Sequence, residues 1–576
     1  MKSLITSSCS AALLLPLLLA ITGCEGPQDA ATPPAPRAAI ADTPAIQEED
    51  VARVSESIRD ESLRQHIMAL SDDSMQGRLP GTEGEELTVA YLTEAFKEMG
   101  LEPANGESYT QPVPLVGITG DPAMALKITG DGQERVLKYK DDFMGFSSKE
   151  EEQIEAAGEL VFVGYGTVAP EFNWDDYKGV DVAGKILVML VNDPPLPDAT
   201  RFGGEAMTYY GRWTYKYEIG AEMGAAGAII IHETEKAGYP WGVVAGSWAG
   251  EQFVPQRADK GASRMPFESW ITGEAATELM TMAGQDLEVL KAAAAQDDFQ
   301  PVPLGLNASI SINNSIRRVQ SRNVAGLLPG SDLADEWIIY TAHWDHLGVS
   351  DPVDGDAIYN GAFDNATGVA ALVDIARAFV ALPAPPRRSI LFLAVTAEEQ
   401  GLIGSYHYAD NPLHPLAKTA GLINMDGMNV LGRTSDVIVI GLGNTTLDDL
   451  VTQVATAQGR TISPDMEPQK GFYYRSDQFP MAKKGVPALY TDHGIQYLGR
   501  PEGWGLEQNA AYTRKNYHKP SDEYDPEWDL AGMIEDSRML FQVGVLAAQA
   551  DGMQQWKEGT EFKSIRERSL AAGGGQ

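Results

Sequence analysis

From about residue 310 the chain alternates short apolar runs with helix-like segments, and the runs are apolar on both faces. Trp337-Ile338-Ile339-Tyr340-Thr341, the stretch from Ser389 to Thr396, Gly421-Leu422-Ile423-Asn424 and Val486-Pro487-Ala488-Leu489-Tyr490 all have this texture. A strand that is apolar on both sides has to be covered on both sides. Such runs call for an α/β fold with a mixed, mostly parallel central sheet flanked by helices. Gly368 to Leu382 is apolar on more than one face and reads as a buried helix between two of these strands.

Residues with metal-binding chemistry sit where the runs end. His343 follows the first run, Glu398 and Glu399 the second, and Asp426 the third. Ligands of open α/β sheets gather at the carboxyl ends of the strands. Asp364 lies in the polar loop Gly361-Ala362-Phe363-Asp364-Asn365-Ala366-Thr367-Gly368, which opens the buried helix, and a helix N-terminus tolerates a carboxylate. His518 comes later, in Tyr517-His518-Lys519-Pro520-Ser521-Asp522.

Singly, each is an ordinary surface or packing residue, as His66, His232, His407 and His414 are read to be. Jointly they form the donor set of a bridged two-metal centre: a carboxylate able to bridge, nitrogen and oxygen ligands for each ion, and a spare carboxylate to accept a proton. Neighbouring side chains on extended backbone point in opposite directions, so one member of Glu398-Glu399 can bind metal while the other faces water. Asp345 is close enough in sequence to tune a metal-bound His343.

At 576 residues more than one domain is expected. Acidic residues number 81 against 44 basic, a net charge of −37, which repels phosphate backbones and excludes nucleic acid as a natural partner. The chain opens with Lys2 and the apolar run Ala11 to Ala20, too short for a comfortable membrane span, followed by Ile21-Thr22-Gly23-Cys24. This resembles a lipoprotein signal (1–23) with Cys24 as the lipidated residue. Cys9 and Cys24 are the two cysteines of the chain, so the mature protein would carry no disulfide. The expected location is the bacterial cell envelope, held at the membrane, with the outer membrane favoured.

Residues 24–50, rich in Ala, Pro and acids, read as a flexible tether. Residues 51–125 read as the N-terminal part of the larger domain, helical over about 50–105, with the turn Gly77-Arg78-Leu79-Pro80-Gly81-Thr82 within that stretch. Residues 126–300 read as an inserted β-rich domain without a catalytic cluster, 301–555 as the main part of the larger domain, and 556–576 as a polar tail.

The segments His343-Trp344-Asp345, Gly361 to Asn365, Thr396-Ala397-Glu398-Glu399-Gln400-Gly401-Leu402-Ile403-Gly404-Ser405, Asn424-Met425-Asp426 and Tyr517 to Asp522 together resemble peptidase family M28, the zinc aminopeptidases and carboxypeptidases. The resemblance covers about residues 60–110 and 310–550. It implies a mixed sheet between helices and two zinc ions per chain. In that scheme Asp364 bridges the ions, His343 and Asp426 hold one, and Glu399 and His518 hold the other. Glu398 is the general base and then the acid, and Asp345 orients His343. More loosely, Gly184-Lys185-Ile186-Leu187-Val188 and Gly224 to Ala228 resemble the protease-associated domain that some members carry.

The segment Gly471 to Asp477 brings Tyr474, Arg475 and Asp477 together, either to line a substrate pocket or to fix the loop. Tyr497 or a neighbouring tyrosine is a candidate to hold an oxyanion. His346 and His493 are candidates for supporting the ligands. The favoured reading is an aminopeptidase acting on peptides. The rivals are a carboxypeptidase or dipeptidase of the same family, for which Arg475 offers a carboxylate partner, a glutaminyl cyclase, and a non-catalytic binding protein on the same scaffold.

Overall fold

The computed structural model describes residues 46–196, 198 and 200–573. Cys24 and the signal-like segment lie outside the described residues, as does most of the proposed tether. No helix among the described residues is long and apolar enough to cross a membrane.

The apolar runs pair as the centre of one mixed sheet. Arg388–Val395 lies parallel to Leu333–His343, which lies parallel to Thr419–Asn424, which in turn lies parallel to Ala488–Asp492. Antiparallel neighbours close both sides: Val302–Leu328 beside Arg388–Val395, and Asp436–Ile440 beside Ala488–Asp492. Side chains alternate between two covered faces. Ile338, Tyr340, Ala342, Ile390, Phe392 and Ala394 pack under Asp60–Leu70, Glu83–Glu98, Thr367–Val380 and Ala531–Gln549. Ile339, Leu391, Leu393, Val395 and Leu422 face the other way, toward Tyr408, Ala409 and Met481. This double burial is why the runs carry no polar alternation. Asp436–Ile440 and Thr461–Pro464, which the sequence reading passed over, extend the sheet.

A second sheet is built from Gln153–Phe162, Ile186–Leu190, Gly227–Ile231 and Phe267–Ile271, all parallel in that order, with Phe143–Phe146 antiparallel at one side. It is less purely β than expected. The helices Trp213–Glu222, Trp241–Ser247, Gly273–Met282 and Leu287–Ala294 also belong to this region. Parallel strands need crossovers, and helices supply them. Val302–Leu328, 27 residues long, joins the two sheets. Its first half pairs with Gln153–Phe162, its middle with Thr110–Gly120, and its end with Arg388–Val395.

The turn at residues 77–82 has a specific structural task. Gln76, Gly77 and Arg78 take left-handed backbone, which turns the Arg78 side chain into the protein. There it is 1% exposed and donates to the carbonyls of Trp344, Leu70, Asn360 and Gly361. One guanidinium thus holds the loop after His343 against the loop before Asp364. Cutting it back to alanine strands these buried carbonyls without donors. Arg78→Ala should cost about 3 kcal/mol or more, read as a lowered midpoint in urea unfolding, and Arg78→Lys should recover only a small part.

His66 is a second buried group in the helical layer. Its Nδ1 is 2.6 Å from the Tyr91 hydroxyl, and Arg377 lies 2.9 Å from its Nε2. Burial, and then the Arg377 charge, push the imidazole down to about 4. A ring held neutral in the fold but free to charge when unfolded contributes stability above pH 6.5 that is lost as the pH falls toward 4. That loss should approach about 3 kcal/mol at the acid end. Unfolding curves at pH 7 and pH 4 should converge by about that amount in His66→Gln relative to the wild type.

Candidate metal centre

The central strands deliver their terminal residues to one place. His343 is the last residue of Leu333–His343, and Asp426 follows Thr419–Asn424 by two positions. Glu398 and Glu399 follow Arg388–Val395, in a tight turn and not on extended backbone. Ala397 is left-handed, and the amides of Gly401 and Leu402 both donate to the Glu398 carbonyl. The turn, in place of strand alternation, separates the two glutamates. Asp364 sits in the kinked segment Ala362–Ala366 ahead of Thr367–Val380. His518 has left-handed backbone, φ 56°, just past the helix Trp504–Lys515.

Asp364 faces two sets of donors, one with each carboxylate oxygen. His343 Nε2 is 3.2 Å from Asp364 Oδ1 and 3.3 Å from Asp426 Oδ1. His518 Nε2 is 3.6 Å from Asp364 Oδ2 and 2.9 Å from Glu399 Oε2. Ligand atoms of His343, Asp364 and Glu399 all lie within 4.8 Å of one another. Glu398 Oε2 stands 3.9 Å from His343 Nε2.

Electrostatics show what this arrangement wants. Burial, opposed by His343 and reinforced by Asp426 and Glu399, holds Glu398 well above the usual carboxylate range. Burial is the strongest single influence on Glu399 and acts to raise it, but His518 and His346 together, the latter also through its hydrogen bond, pull the carboxyl down to about 2. Burial acts to lower His518, yet Glu399 and Asp364 hold it at about 10. So many buried carboxylates need positive charge at the two points where Asp364 meets an imidazole. Nitrogen and carboxylate-oxygen donors converging on such points suit zinc.

The supporting groups differ in part from those expected. The Asp345 carboxylate Oδ1 is 3.9 Å from His343 Nδ1. The Asp345 backbone carbonyl is the nearer partner of that nitrogen, at 3.2 Å. The Asp345 carboxylate accepts instead from the Glu398 amide, at 3.0 Å. His346, fully buried, places Nδ1 2.5 Å from Glu399 Oε1. Asp522 accepts from the amides of Phe363 and Asp364, both at 3.1 Å, and so pins the loop that carries Asp364. Ser476 donates to Asp426 Oδ2 at 2.6 Å. The sequence marked Ser476 and Asp522 only as members of motifs. Nothing in a one-dimensional pattern tells which carboxylate meets an ion and which meets an amide.

A cavity of about 720 Å³ opens over the cluster. It is walled by Asp364, Glu398, Glu399, Asp426, Asp492 and Glu523 on the acidic side, with Tyr497, Tyr512 and Tyr517 among its aromatics. Tyr474 and Arg475 line the narrower space beside it, next to Arg212 and Tyr239 of the second sheet's region. Asp477 does not belong with them. It is 0% exposed, and burial pushes its carboxyl up to about 7. It starts the short buried helix Gln478–Ala482, so its side chain faces the interior beneath the cluster. Tyr497 lines the larger cavity, but its hydroxyl donates to Asn429 Oδ1 at 3.1 Å. Tyr517, adjoining His518 with ring centroids 3.9 Å apart, is the neighbouring tyrosine that lines both spaces. His493 is paired with Asp492 and Asn509 and lines the same cavity, its ring edge-on to Phe363.

These features find their counterparts in known proteins. The profile of Peptidase family M28 matches residues 323–540. Aminopeptidase NAALADL1 of Mus musculus is 33% identical over 136 residues, 22% of this chain and 17% of that protein. The Glutamate carboxypeptidase 2 homolog of Caenorhabditis elegans is 24% identical over 439 residues, 66% of this chain and 53% of that one, so the chain spans at most about half the length of either relative. A probable zinc metalloprotease of Pyrenophora teres f. teres is 33% identical over 108 residues, 19% of this chain and 23% of that protein. Among solved structures, the aminopeptidase from Aneurinibacillus sp. strain AM-1 superposes with a TM-score of 0.52 at 19% identity, over 86% of this chain and 96% of that one, a likeness of fold. The segment that matches peptidase family M28 spans the strand ends that carry His343, Asp364, Glu398, Glu399 and Asp426, and it includes His518 as well.

Proposed function

We propose that the protein is an exopeptidase that removes N-terminal residues from peptides with the help of two zinc ions. The observation that carries this reading is the pair of donor sets sharing Asp364: His343 with Asp426 on one oxygen, and His518 with Glu399 on the other. Zinc held by these residues would supply Lewis acidity toward a water molecule and the scissile carbonyl. The chain's own groups supply the remainder. Glu398 faces the cavity, and its surroundings favour holding a proton. It takes one from the attacking water and returns it to the leaving amine. Asp345, through the Glu398 amide, fixes where that carboxylate stands. Tyr517 offers a hydroxyl beside Glu398 and His518 for the charge that develops on the carbonyl oxygen. The acidic wall of the larger cavity suits the free α-ammonium group of a peptide.

One observation favours a second reading. Arg475 stands in the narrower space beside Glu398 and His518, stacked over Tyr239 and Phe472 at 5.2 and 5.3 Å. Its Nη1 is buried without a hydrogen-bond partner, and Arg212 lies in the same space. A guanidinium so placed fits a substrate carboxylate, as a carboxypeptidase or dipeptidase would require. The terminal segment ending at Cys24 supports an enzyme anchored by lipid in the cell envelope.

Short peptides with the N-terminus free or acetylated, and the C-terminus free or amidated, separate the two readings. An aminopeptidase loses its substrates on acetylation and tolerates amidation; a carboxypeptidase does the reverse. In either case turnover should stop on chelation, return with zinc, and fall at least a hundredfold in Glu398→Ala. Turnover that persists in Glu398→Ala sinks the assignment of the base. Arg475→Met should raise KM about tenfold or more for substrates with a free carboxylate while leaving amidated ones unchanged. An equal loss on both would make Arg475 a packing residue.

A further inference from the structure

The two imidazoles of the centre are oriented by different parts of the chain. His343 Nδ1 faces the Asp345 carbonyl, two residues away on the same loop. His518 Nδ1 faces Ser247 Oγ at 2.8 Å, across 271 residues of sequence. Ser247 is the last residue of the helix Trp241–Ser247, which belongs to the inserted region and not to the sheet that carries the ligands. The inserted region therefore does reach the centre, where the sequence reading gave it no such part.

The contact is firmly held from the Ser247 side. Val243 and Val244 of the same helix are buried, and Gln252 Nε2 donates to the Ser247 carbonyl at 3.0 Å. The next residue, Trp248, meets Trp213, Tyr217 and Phe146 edge-on or tilted, at 5.6, 6.0 and 6.2 Å between centroids. On the other side, His518 stands on left-handed backbone, a conformation that a non-glycine residue keeps only when its surroundings impose it. Its Nε2 is directed at Glu399 and Asp364.

A histidine that ligates through Nε2 carries its proton on Nδ1, and whatever accepts that proton fixes both tautomer and ring angle. Ser247 Oγ is the acceptor in reach. We infer that Ser247 is a positioning residue for His518, so that the metal centre is complete only when the inserted region is seated against it. This rests on the two-zinc reading above and adds to it the origin of one ligand's orientation.

The test is zinc binding to the full chain, freed of metal and titrated against a chromophoric chelator, with no substrate present. Wild type should take up two ions. Ser247→Ala should keep one at wild-type affinity and weaken the other ten- to a hundredfold, and Ser247→Thr, which keeps a hydroxyl, should restore most of that loss. The melting temperature of the metal-free proteins should be the same. Equal affinity for both ions in Ser247→Ala overturns the inference and leaves the two-zinc reading intact. A drop in metal-free melting temperature with both ions weakened alike, and no rescue by threonine, overturns it as well, since that is general loosening. Absence of zinc uptake by the wild type overturns both readings.

Discussion

Everything near the centre turns on where the Asp364 carboxylate is held. Two imidazoles and two further carboxylates approach its oxygens within 3.2 to 3.6 Å or through those same imidazoles, so a shift of the loop would displace both donor sets together. Mutual repulsion of buried carboxylates works against such packing. The fold answers with hydrogen bonds from several directions. Asp522 accepts from the Asp364 amide, Asn365 donates to the Met425 carbonyl and accepts from Gly427 and Gly368, and Arg78 binds the Asn360 and Gly361 carbonyls just ahead of it. None of these groups needs to touch a substrate. Their common effect is to make the position of one carboxylate independent of whether its charge is compensated.

The same bonds tie distant segments together. Arg78 belongs to the N-terminal helical part, Asp364 to the loop before a core helix, Asp522 to the far end of the main sheet's chain, and Ser247 to the inserted region. Each contributes a single side chain to the centre or its support. That pattern explains why a family profile confined to residues 323–540 takes in all five candidate ligands but leaves out Arg78 and Ser247.

What was legible in the sequence follows from this division. The central strands were plain, because burial on both faces leaves an unbroken apolar run, as in Ile338–Ile339 or Leu391–Phe392. The ligands were plain because they terminate those runs. Asp436–Ile440, bounded by Asp436 and ending at a glycine-rich turn, and the polar edge strand Thr461–Pro464 carried no comparable signal. Tyr497 and Tyr517 are indistinguishable as letters. The bond from the Tyr497 hydroxyl to Asn429 and the place of Tyr517 against His518 tell them apart. Asp477 looked like a pocket residue because its neighbours are, yet a single step into a helix turned its side chain inward. Ser247 was invisible for a different reason: a lone serine in an unremarkable helix acquires meaning only through a partner 271 positions away.

The strand Val302–Leu328 gives the molecule a property that a domain joined by a linker would lack. Its ladder runs unbroken from Val302 opposite Phe162 to Leu328 opposite Ile390, apart from one irregularity between Pro303 and Asn307. In a strand, sliding by one residue turns every side chain to the opposite face. A single-residue insertion or deletion near its middle would force one of the two sheets out of phase with its own core. The junction between the two regions is thus a shared ruler and not a hinge. Variation in length has to be absorbed in the loops on either side, and the angle between the sheets is set by the twist of one piece of backbone.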